Sequence, residues 1–341
     1  MNLVNIFKNN KKKEKIPIWI MRQAGRYLPE FRKLKKKSGG FMNMLYSPRI
    51  ASDITLQPIR RFGLDAAIIF SDILTIPDSL GQKLTYEEGK GPSLERMTID
   101  QMINDLSVNK KQEKLNSVYK AIKETKKKLN KNVKLIGFVG APLTVSLFML
   151  GGKKNKQLLP LKILKERKQK TKRLYNLLEK AIADHAIKQL NAGADIIQIF
   201  DTWACLVKGK DLEFFSINPI KRICTLIKSK KPKKHIIVFP RNVSTSYTKY
   251  IYKHIDCISV GEDIKDYEIK KIQEKKIIQG NLSPKALFSG GKNLEKEIRK
   301  VLKKFSKKPF IFNLSHGIMP GTPLRNVQKL IDVIRRYKNE V

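Results

Sequence analysis

Cysteines are few and long apolar runs are absent. The 341 residues include three cysteines, Cys205, Cys224 and Cys257, an odd number without a close pair. This usage argues against a disulfide framework and is typical of a reducing compartment. The longest nearly uncharged apolar stretch, residues 136–152, is slightly short for a membrane span and is interrupted by glycine and proline. Because the N-terminus also has no apolar core of signal-peptide length, we expect a cytoplasmic protein that does not enter a membrane.

Motifs for common cofactors and nucleophiles are also missing. No Gly-x-Gly-x-x-Gly follows an apolar run, and residues 289–292, Ser-Gly-Gly-Lys, lack the spacing of a phosphate-binding loop. His254 and Cys257 are three residues apart, but no third metal ligand is evident. Ser315 directly precedes His316, yet no Gly-x-Ser-x-Gly nucleophile elbow occurs. The sequence therefore supports neither nucleotide binding, nor a metal site, nor a serine nucleophile.

Acidic residues are outnumbered by basic ones. The 71 Lys and Arg against 30 Asp and Glu give a formal net charge of +41. Such an excess is compatible with nucleic acid, an anionic surface or an acidic substrate. The lysines form short runs along the whole chain without interleaved aromatic residues, which is more typical of a solvated surface. We therefore expect no nucleic-acid partner, and a concentrated basic patch with stacking aromatics would be needed to favour one.

Eight short apolar runs alternate with amphipathic, helix-like stretches. The runs are residues 18–21, 66–70, 133–139, 195–200, 235–239, 257–260, 276–279 and 310–314. Continuously apolar strands separated by helices predict a parallel sheet that is covered on both faces. Eight of them in one chain predict an α/β fold of the (β/α)8 TIM-barrel type, with a doubly wound sheet as the alternative.

The helical and irregular segments complete this picture as a single barrel domain over residues 1–341. The spacing of apolar residues predicts helices over residues 111–129 and 173–190, with His185 on a packed apolar face. A last helix is predicted to begin at Thr322 and Pro323. Residues 1–15 are predicted to be a basic, flexible N-terminus. Residues 151–172 are predicted to be a Lys-rich loop, either a lid or a disordered segment.

Polar and charged residues, together with two aromatic ones, follow the predicted strands, at the end where (β/α)8 barrels carry their active sites. These residues are Arg22, Arg26, Ser71, Asp72, Phe148, Asp201, Thr202, Trp203, Arg241, Glu262, Asn281 and His316. Arg22 and Arg26 are separated by a Gly-containing turn, and their planar guanidinium groups suit carboxylate ligands. Two solvated surface arginines would have the same spacing, so this pair alone leaves both interpretations open.

Ordered blocks of sequence at these strand ends resemble the uroporphyrinogen decarboxylase family. The blocks are MRQAGRYLPEFR at 21–32, FSDIL at 70–74, GAP at 140–142, IFDTWA at 199–204, QGNLSP at 279–284 and FNLSHGIMPGTP at 312–323. The resemblance covers about residues 15–337, and several blocks in the family's order are more specific than any single motif.

The resemblance implies a lyase that removes carboxyl groups from the four acetate side chains of uroporphyrinogen III, giving coproporphyrinogen III in haem biosynthesis. It implies that no cofactor is used and that the chain forms a homodimer. It also implies that Asp72 stabilises the transition state, and that Arg22 or a water it positions donates a proton. The substrate-binding residues that it implies are Arg22, Gln23, Ala24, Gly25, Arg26, Asp72, Thr202 and His316, together with the position of Phe148.

The chain departs from the family pattern in several places. Phe148 stands where a Tyr is usual, and Thr202 replaces the more usual Ser but keeps a hydroxyl. Ser315 stands where Gly usually precedes the histidine, and the pair at 261–262 replaces an Asp-led segment. A zinc-dependent methyltransferase on a related barrel is the alternative enzyme. Its typical His-x-Cys pair is absent from this sequence.

Overall fold

A computed structural model describes residues 3–8, 15–87, 91–107, 113–152 and 157–337. The strands are β1 (Ala66–Ile68), β2 (Leu84–Glu87), β3 (Gly91–Leu94), β4 (Lys134–Gly140), β5 (Ile196–Asp201), β6 (His235–Pro240), β7 (Cys257–Ser259), β8 (Ile277–Leu282) and β9 (Phe310–Leu314). Seven of them form a parallel sheet in the order β1-β4-β5-β6-β7-β8-β9, and β2 and β3 form a separate antiparallel hairpin. The predicted parallel sheet and its apolar strands are confirmed.

Helices follow the strands and cover the outside of the sheet. They are α1 (Asn5–Lys8), α2 (Pro29–Lys37), α3 (Phe41–Tyr46), α4 (Pro48–Phe62), α5 (Thr75–Leu80), α6 (Ile99–Asp105), α7 (Glu113–Lys128), α8 (Pro142–Met149), α9 (Leu158–Glu166), α10 (Lys168–Asn191), α11 (Gly209–Leu212), α12 (Asn218–Lys230), α13 (Asp266–Gln273), α14 (Pro284–Ser289), α15 (Gly291–Phe305) and α16 (Leu324–Arg336). Within the described residues, no helix is both long and apolar enough to cross a bilayer.

The first predicted strand closes the barrel through a single bridge. Ile18 pairs in parallel with Phe312 of β9, and the Phe312 N–H donates to the Pro17 carbonyl at 2.9 Å. On the other side, the Asp65 N–H donates to the Ile18 carbonyl at 3.0 Å, just before β1. Residues 17–21 therefore lie between β9 and β1, and the (β/α)8 prediction is confirmed with its first strand reduced to a bridge.

Side-chain acceptors add to these few backbone bonds in holding the first segment. The Ile18 N–H donates to the Asp65 carboxylate at 2.8 Å, and the Met21 N–H donates to the Asn313 side-chain oxygen at 2.9 Å. Pro17 has no N–H to contribute to a ladder. The segment is thus fixed at the seam of the barrel without being a regular strand.

A small apolar core fills the amino-terminal end of the barrel interior. Its side chains include Trp19, Ile136 and Ile311, and Leu3 and Ile6 of the N-terminal segment pack beneath them. The Phe7 ring stacks on His235 with centroids 4.3 Å apart. The prediction of a flexible N-terminus is therefore wrong for residues 3–8, because their apolar side chains close the bottom of the barrel; residues 9–14 lie outside the described residues.

The segment predicted as a Lys-rich loop is largely helical. Residues 153–156 lie outside the described part of the chain, but α9 begins at Leu158 and α10 at Lys168. Pro160, Leu161 and Leu164 are buried on one face of α9, and this packing outweighs the repulsion among its lysines. The prediction of a loop is wrong from residue 158 onward.

The other helix predictions hold, apart from details at their ends. His185 is buried in α10, where the Tyr119 hydroxyl contacts its Nδ1 at 2.9 Å, and burial lowers the pKa of His185 to about 3. The last helix begins at Leu324, one residue after Pro323, which was predicted to lie in its first turn with Thr322 as the N-cap. Thr322 does not cap it, because its hydroxyl donates to the Met319 carbonyl instead.

Candidate active site

Gln23 fixes the turn that follows the first strand segment. Its buried side chain accepts from the Ile20 N–H at 3.0 Å and donates to the Ala66 carbonyl, also at 3.0 Å. The Tyr27 hydroxyl donates to the Gln23 carbonyl at 2.8 Å. Sequence reasoning placed Gln23 among the substrate contacts, but its side-chain amide is occupied inside the fold. Its contribution to the site is the shape of the turn.

The turn presents Arg22 in an unusual backbone conformation. Arg22 has φ 62°, in the left-handed region that non-glycine residues rarely adopt. Its side chain lies so close to Gly317 that a Cβ there would clash with the Arg22 Cδ. Burial lowers the pKa of Arg22, because protein surrounds much of its guanidinium group although the residue still contacts solvent. Because glycine has no side chain, position 317 leaves room for the Arg22 side chain to lie beside it.

The remaining residues of the turn lie closer to the surface. Ala24 packs against the main core, and the Gly25 carbonyl accepts from the Leu28 N–H at 3.0 Å. The Arg26 side chain is exposed and close enough to Arg22 to disfavour its charged form. The turn thus presents two neighbouring guanidinium groups at the carboxyl ends of the strands, as predicted.

Asp72 faces Arg22 from the segment after β1. Its Oδ1 accepts from the Leu74 N–H at 2.8 Å, and its backbone carbonyl accepts from the Thr75 hydroxyl. These bonds form the turn that leads into α5. Burial raises the pKa of Asp72, while the Leu74 N–H and the charge of Arg22 act in the opposite direction. Burial therefore makes the ionised form of Asp72 costly. A hydrogen-bond donor that approaches the carboxylate stabilises that form.

A buried hydrogen-bond network lies beneath the loop after β5. The fully buried Asp201 accepts from the Thr144 hydroxyl at 2.6 Å and from the Ser216 hydroxyl at 2.5 Å. The Ser216 oxygen also contacts the Tyr250 hydroxyl at 2.7 Å. Burial raises the pKa of Asp201 to about 6, against the effect of its two donors. Asp201 therefore holds the strand end from which the half-buried Thr202 projects.

Phe148 stacks on Trp203 beside this network. The ring centroids are 4.2 Å apart with an angle of 29° between the planes. The Trp203 N–H donates to the Thr144 hydroxyl at 3.2 Å, so α8 and the loop after β5 are joined. Phe148 and Thr202 thus lie together at the ends of α8 and β5, where they contribute an aromatic ring and a hydroxyl group to the candidate site.

His316 follows β9 and is kept neutral by its surroundings. Its Nδ1 accepts from the Gly317 N–H at 2.5 Å, which leaves Nε2 to carry the ring proton. Burial lowers the pKa of His316 to about 3, and the charges of Arg241 and Arg22 act in the same direction. The imidazole is therefore a neutral donor at its free nitrogen.

Sequence reasoning counted Arg241 among the strand-end residues but gave it no role in the site, and it did not name Gly317 at all. Arg241 directly follows β6, and its charge lowers the pKa values of Arg22 and His316. The position of Arg241 at a strand end is the signal that put it in that set. Gly317 offered no such signal, because its effect depends on where the Arg22 side chain runs.

Two departures from the family pattern lie together. The Ser315 hydroxyl donates to Glu262 Oε1 at 2.7 Å, which joins the loops after β9 and β7.

Within the described residues, no group of three or more His, Cys, Asp or Glu side chains is placed to hold a metal ion.

Comparison with known proteins identifies the family of this chain. The family model described as "Uroporphyrinogen decarboxylase (URO-D)" matches residues 2–337. The chain belongs to the uroporphyrinogen decarboxylase family. A relative of that name from Brucella anthropi is 40% identical over 325 residues, which are 95% of this chain and 95% of the relative. Another from Rickettsia rickettsii is 38% identical over 340 residues, covering 99% of this chain and 97% of the relative.

More distant structures share the fold alone. A methyltransferase from Methanosarcina mazei has a TM-score of 0.77 at 18% identity and covers 97% of this chain and 96% of its own. A B12-independent methionine synthase from Shewanella sp. W3-18-1 has a TM-score of 0.53 at 13% identity, with 94% of each chain covered. Family membership, rather than likeness of fold, therefore separates the decarboxylase interpretation from the methyltransferase alternative.

Proposed function

We propose that the protein is a uroporphyrinogen decarboxylase, which converts uroporphyrinogen III to coproporphyrinogen III and four CO2 in haem biosynthesis. Family membership over residues 2–337 supports the reaction. The observation that carries the mechanism is that Asp72 and Arg22 both follow strand segments at the mouth of the barrel, close enough for the charge of each to act on the other. We further propose that the chain acts as a single barrel domain, in a cytoplasmic homodimer, as the resemblance implies.

The reaction requires an electron sink for each departing carboxylate. A proton added to a pyrrole ring carbon beside the acetate-bearing carbon makes the ring cationic. The bond between the acetate CH2 and its carboxylate then breaks, CO2 leaves, and the electron pair neutralises the ring and forms an exocyclic methylene. Protonation of this methylene and loss of the first proton restore a methyl-substituted pyrrole. Each decarboxylation therefore consumes one proton and releases one CO2, and the pyrrole ring itself accepts the electron pair.

In this proposal Asp72 stabilises the cationic ring. An ionised carboxylate can accept hydrogen bonds from pyrrole N–H groups and offset the developing positive charge. In the free protein, burial raises the pKa of Asp72. The N–H donors of a bound substrate act in the opposite direction, because they hydrogen-bond to the charged form. Arg22 faces the same position, and either Arg22 or a water that it positions supplies the proton.

The cationic and neutral donors bind the carboxylates of the substrate. Arg22 and Arg26 project from the turn that Gln23 holds, and each can bind a carboxylate through two parallel hydrogen bonds. His316 is neutral and donates from Nε2, while Thr202 offers a hydroxyl. Phe148, stacked on Trp203, contributes an apolar face for the macrocycle.

The decisive experiment is anaerobic incubation with uroporphyrinogen III, followed by separation of products by carboxyl number. Products with seven to four carboxyl groups are expected, and their formation should persist after exhaustive chelation. Unchanged substrate with folded protein would refute the proposed reaction, and activity that returned only with added metal would refute its cofactor-free form.

Asp72→Asn tests the mechanism within that assay. Asparagine keeps an oxygen for the Leu74 N–H, so the turn should be preserved. Substrate binding should be largely retained, while turnover falls about 100- to 1000-fold, as for loss of one preorganised electrostatic group. Near wild-type turnover in this variant would remove Asp72 from the mechanism.

A further inference from the structure

We propose that Glu262 and Ser315 form a clip, a hydrogen bond between two loops, that positions His316 beside Arg22. The proposal rests on the proposed function only in that His316 contacts substrate. The contact itself is direct, because the Ser315 hydroxyl donates to Glu262 Oε1 at 2.7 Å. Ser315 is 5% exposed, whereas Glu262 is exposed at the mouth of the barrel.

The Glu262 side of the clip is anchored. The Gly261 N–H donates to the Tyr247 hydroxyl at 2.9 Å, and the Gly261 carbonyl accepts from the Asn281 side chain at 2.8 Å. The Tyr247 hydroxyl in turn donates to Asp263 at 2.7 Å. Hydrogen bonds on both sides of Glu262 therefore tie its loop to neighbouring parts of the barrel.

The space at Gly261 is also closed. A Cβ there would lie 2.6 Å from a side-chain oxygen of Asn242 and 2.6 Å from one of Asp263. Close packing around Gly261 leaves the backbone little room to shift. Glu262 is thus presented from a fixed position, from which it can hold another loop in place.

The Ser315 side of the clip is where positioning is needed. Residues 315–323 have no regular secondary structure, and they carry His316 and Gly317. The Ser315 N–H donates to the Leu282 carbonyl at 2.8 Å, and the Ile318 N–H donates to the Met21 carbonyl at 2.9 Å. These backbone bonds fix the two ends of a four-residue stretch.

The side-chain bond adds a third fixed point to that stretch, immediately before His316. A hydrogen bond to a carboxylate is among the stronger ones in proteins, so it can hold a neighbouring side chain in one orientation. Glu262 and Ser315 are therefore positioning residues, while His316 makes the contact with substrate.

Four variants separate positioning by a hydrogen bond from an effect of the Glu262 charge. Glu262→Ala and Ser315→Ala should each lower kcat/KM about tenfold, mainly through KM, because His316 binds a carboxylate and not the reacting carbon. Glu262→Gln retains an acceptor oxygen and should keep nearly wild-type kinetics. The double Ala variant should be no worse than either single variant.

Glu274→Ala is the matched control. It also removes an exposed carboxylate, but Glu274 directly follows α13 and precedes β8, at the opposite end of the barrel from the mouth. Its kinetics should match the wild type. Comparison with this control removes any general effect of changing the net charge by one.

The imidazole spectrum of His316 supplies a readout that needs no activity. The chain has four histidines, so the ¹⁵N signal of His316 can be assigned by its loss in His316→Ala. The wild type and Glu262→Gln should show one Nε2-protonated tautomer, while both clip-breaking variants should show broadening or a mixture. A wild type without decarboxylase activity would refute the proposed function and leave this test intact.

Two results would overturn the clip. Wild-type kinetics and an unchanged His316 signal in both Glu262→Ala and Ser315→Ala would show that the bond positions nothing. Equal losses in Glu262→Gln and Glu262→Ala would show that the carboxylate charge, rather than its acceptor oxygen, is what matters. Circular dichroism of each variant checks that the fold is kept, and Glu262→Gln still tests the role of the charge even if an Ala variant fails to fold.

Discussion

Replacing Asp201 with Asn should change how the stability of the protein depends on pH. Asp201 is fully buried, and burial raises its pKa from 3.8 to about 6. A carboxyl group whose pKa is raised by folding contributes stability that is fully present below its unfolded pKa and is lost as the pH rises through the folded pKa. The window therefore runs from about pH 4 to somewhat above pH 6.

The size of the effect follows from the same shift. About two pKa units correspond to about 3 kcal/mol of stability lost by the wild type across this window. Asn does not titrate, so the variant lacks this loss. Its amide can accept from Thr144 and donate to Ser216, because Ser216 can donate to Tyr250 in turn. Rearranging that network should cost about 1 kcal/mol.

Asp201→Asn should thus be less stable than the wild type by about 1 kcal/mol near pH 3, about equally stable near pH 4.5, and more stable by about 2 kcal/mol at pH 8. Urea denaturation of both proteins at intervals across this range measures the difference directly, since all other titrating groups are shared. Glu274→Gln, which removes an exposed carboxyl instead of a buried one, is the control. A constant difference for Asp201→Asn, or one that falls with pH, would refute the argument from burial.

Two substitutions and one pH titration also test the site. Gly317→Ala should displace the Arg22 side chain and lower kcat/KM at least tenfold with the fold intact by circular dichroism, and wild-type kinetics would mean that Arg22 has another path. Phe148→Tyr should tighten substrate binding up to about tenfold with little change in turnover, as judged by steady-state kinetics; unchanged or weaker affinity would mean that stacking on Trp203 is the role of this position. The His316 imidazole should stay neutral from pH 8 to pH 5 in ¹⁵N spectra of the free protein, because its pKa is lowered to about 3, and titration near pH 6.5 would contradict its burial between two arginines.

The sequence was most informative where local pattern determines structure. Apolar runs such as residues 133–139 and 310–314 are buried on both faces, so they carry the signal of a parallel strand whatever surrounds them. The order of strands along the sheet then follows from right-handed crossovers, and it places Arg22, Asp72 and His316 at one end of the barrel. The general position of the site could therefore be predicted from spacing and family resemblance.

Contacts between distant loops could not be predicted in this way. The burial of the Gln23 amide, the clearance at Gly317 and the bond from Ser315 to Glu262 all depend on side-chain paths that no local pattern encodes. The packing of residues 3–8 under the barrel was missed for the same reason, since a charged sequence around a few apolar residues resembles a flexible terminus until their partners are known.

The single bridge at Ile18 has a consequence for how the enzyme is made. Met21 and Asn313, which are bonded across the seam, stand 292 residues apart in the sequence. During synthesis the N-terminal half of the seam leaves the ribosome early. It can bond to Asp65 and Ala66 soon afterwards, but its partner across the seam is missing until β9 emerges. Arg22 can therefore contact Gly317 only after nearly the whole chain has been synthesised. A chain that is truncated before β9 is expected to have no activity. Completion of the active site and completion of translation are, in this protein, nearly the same event.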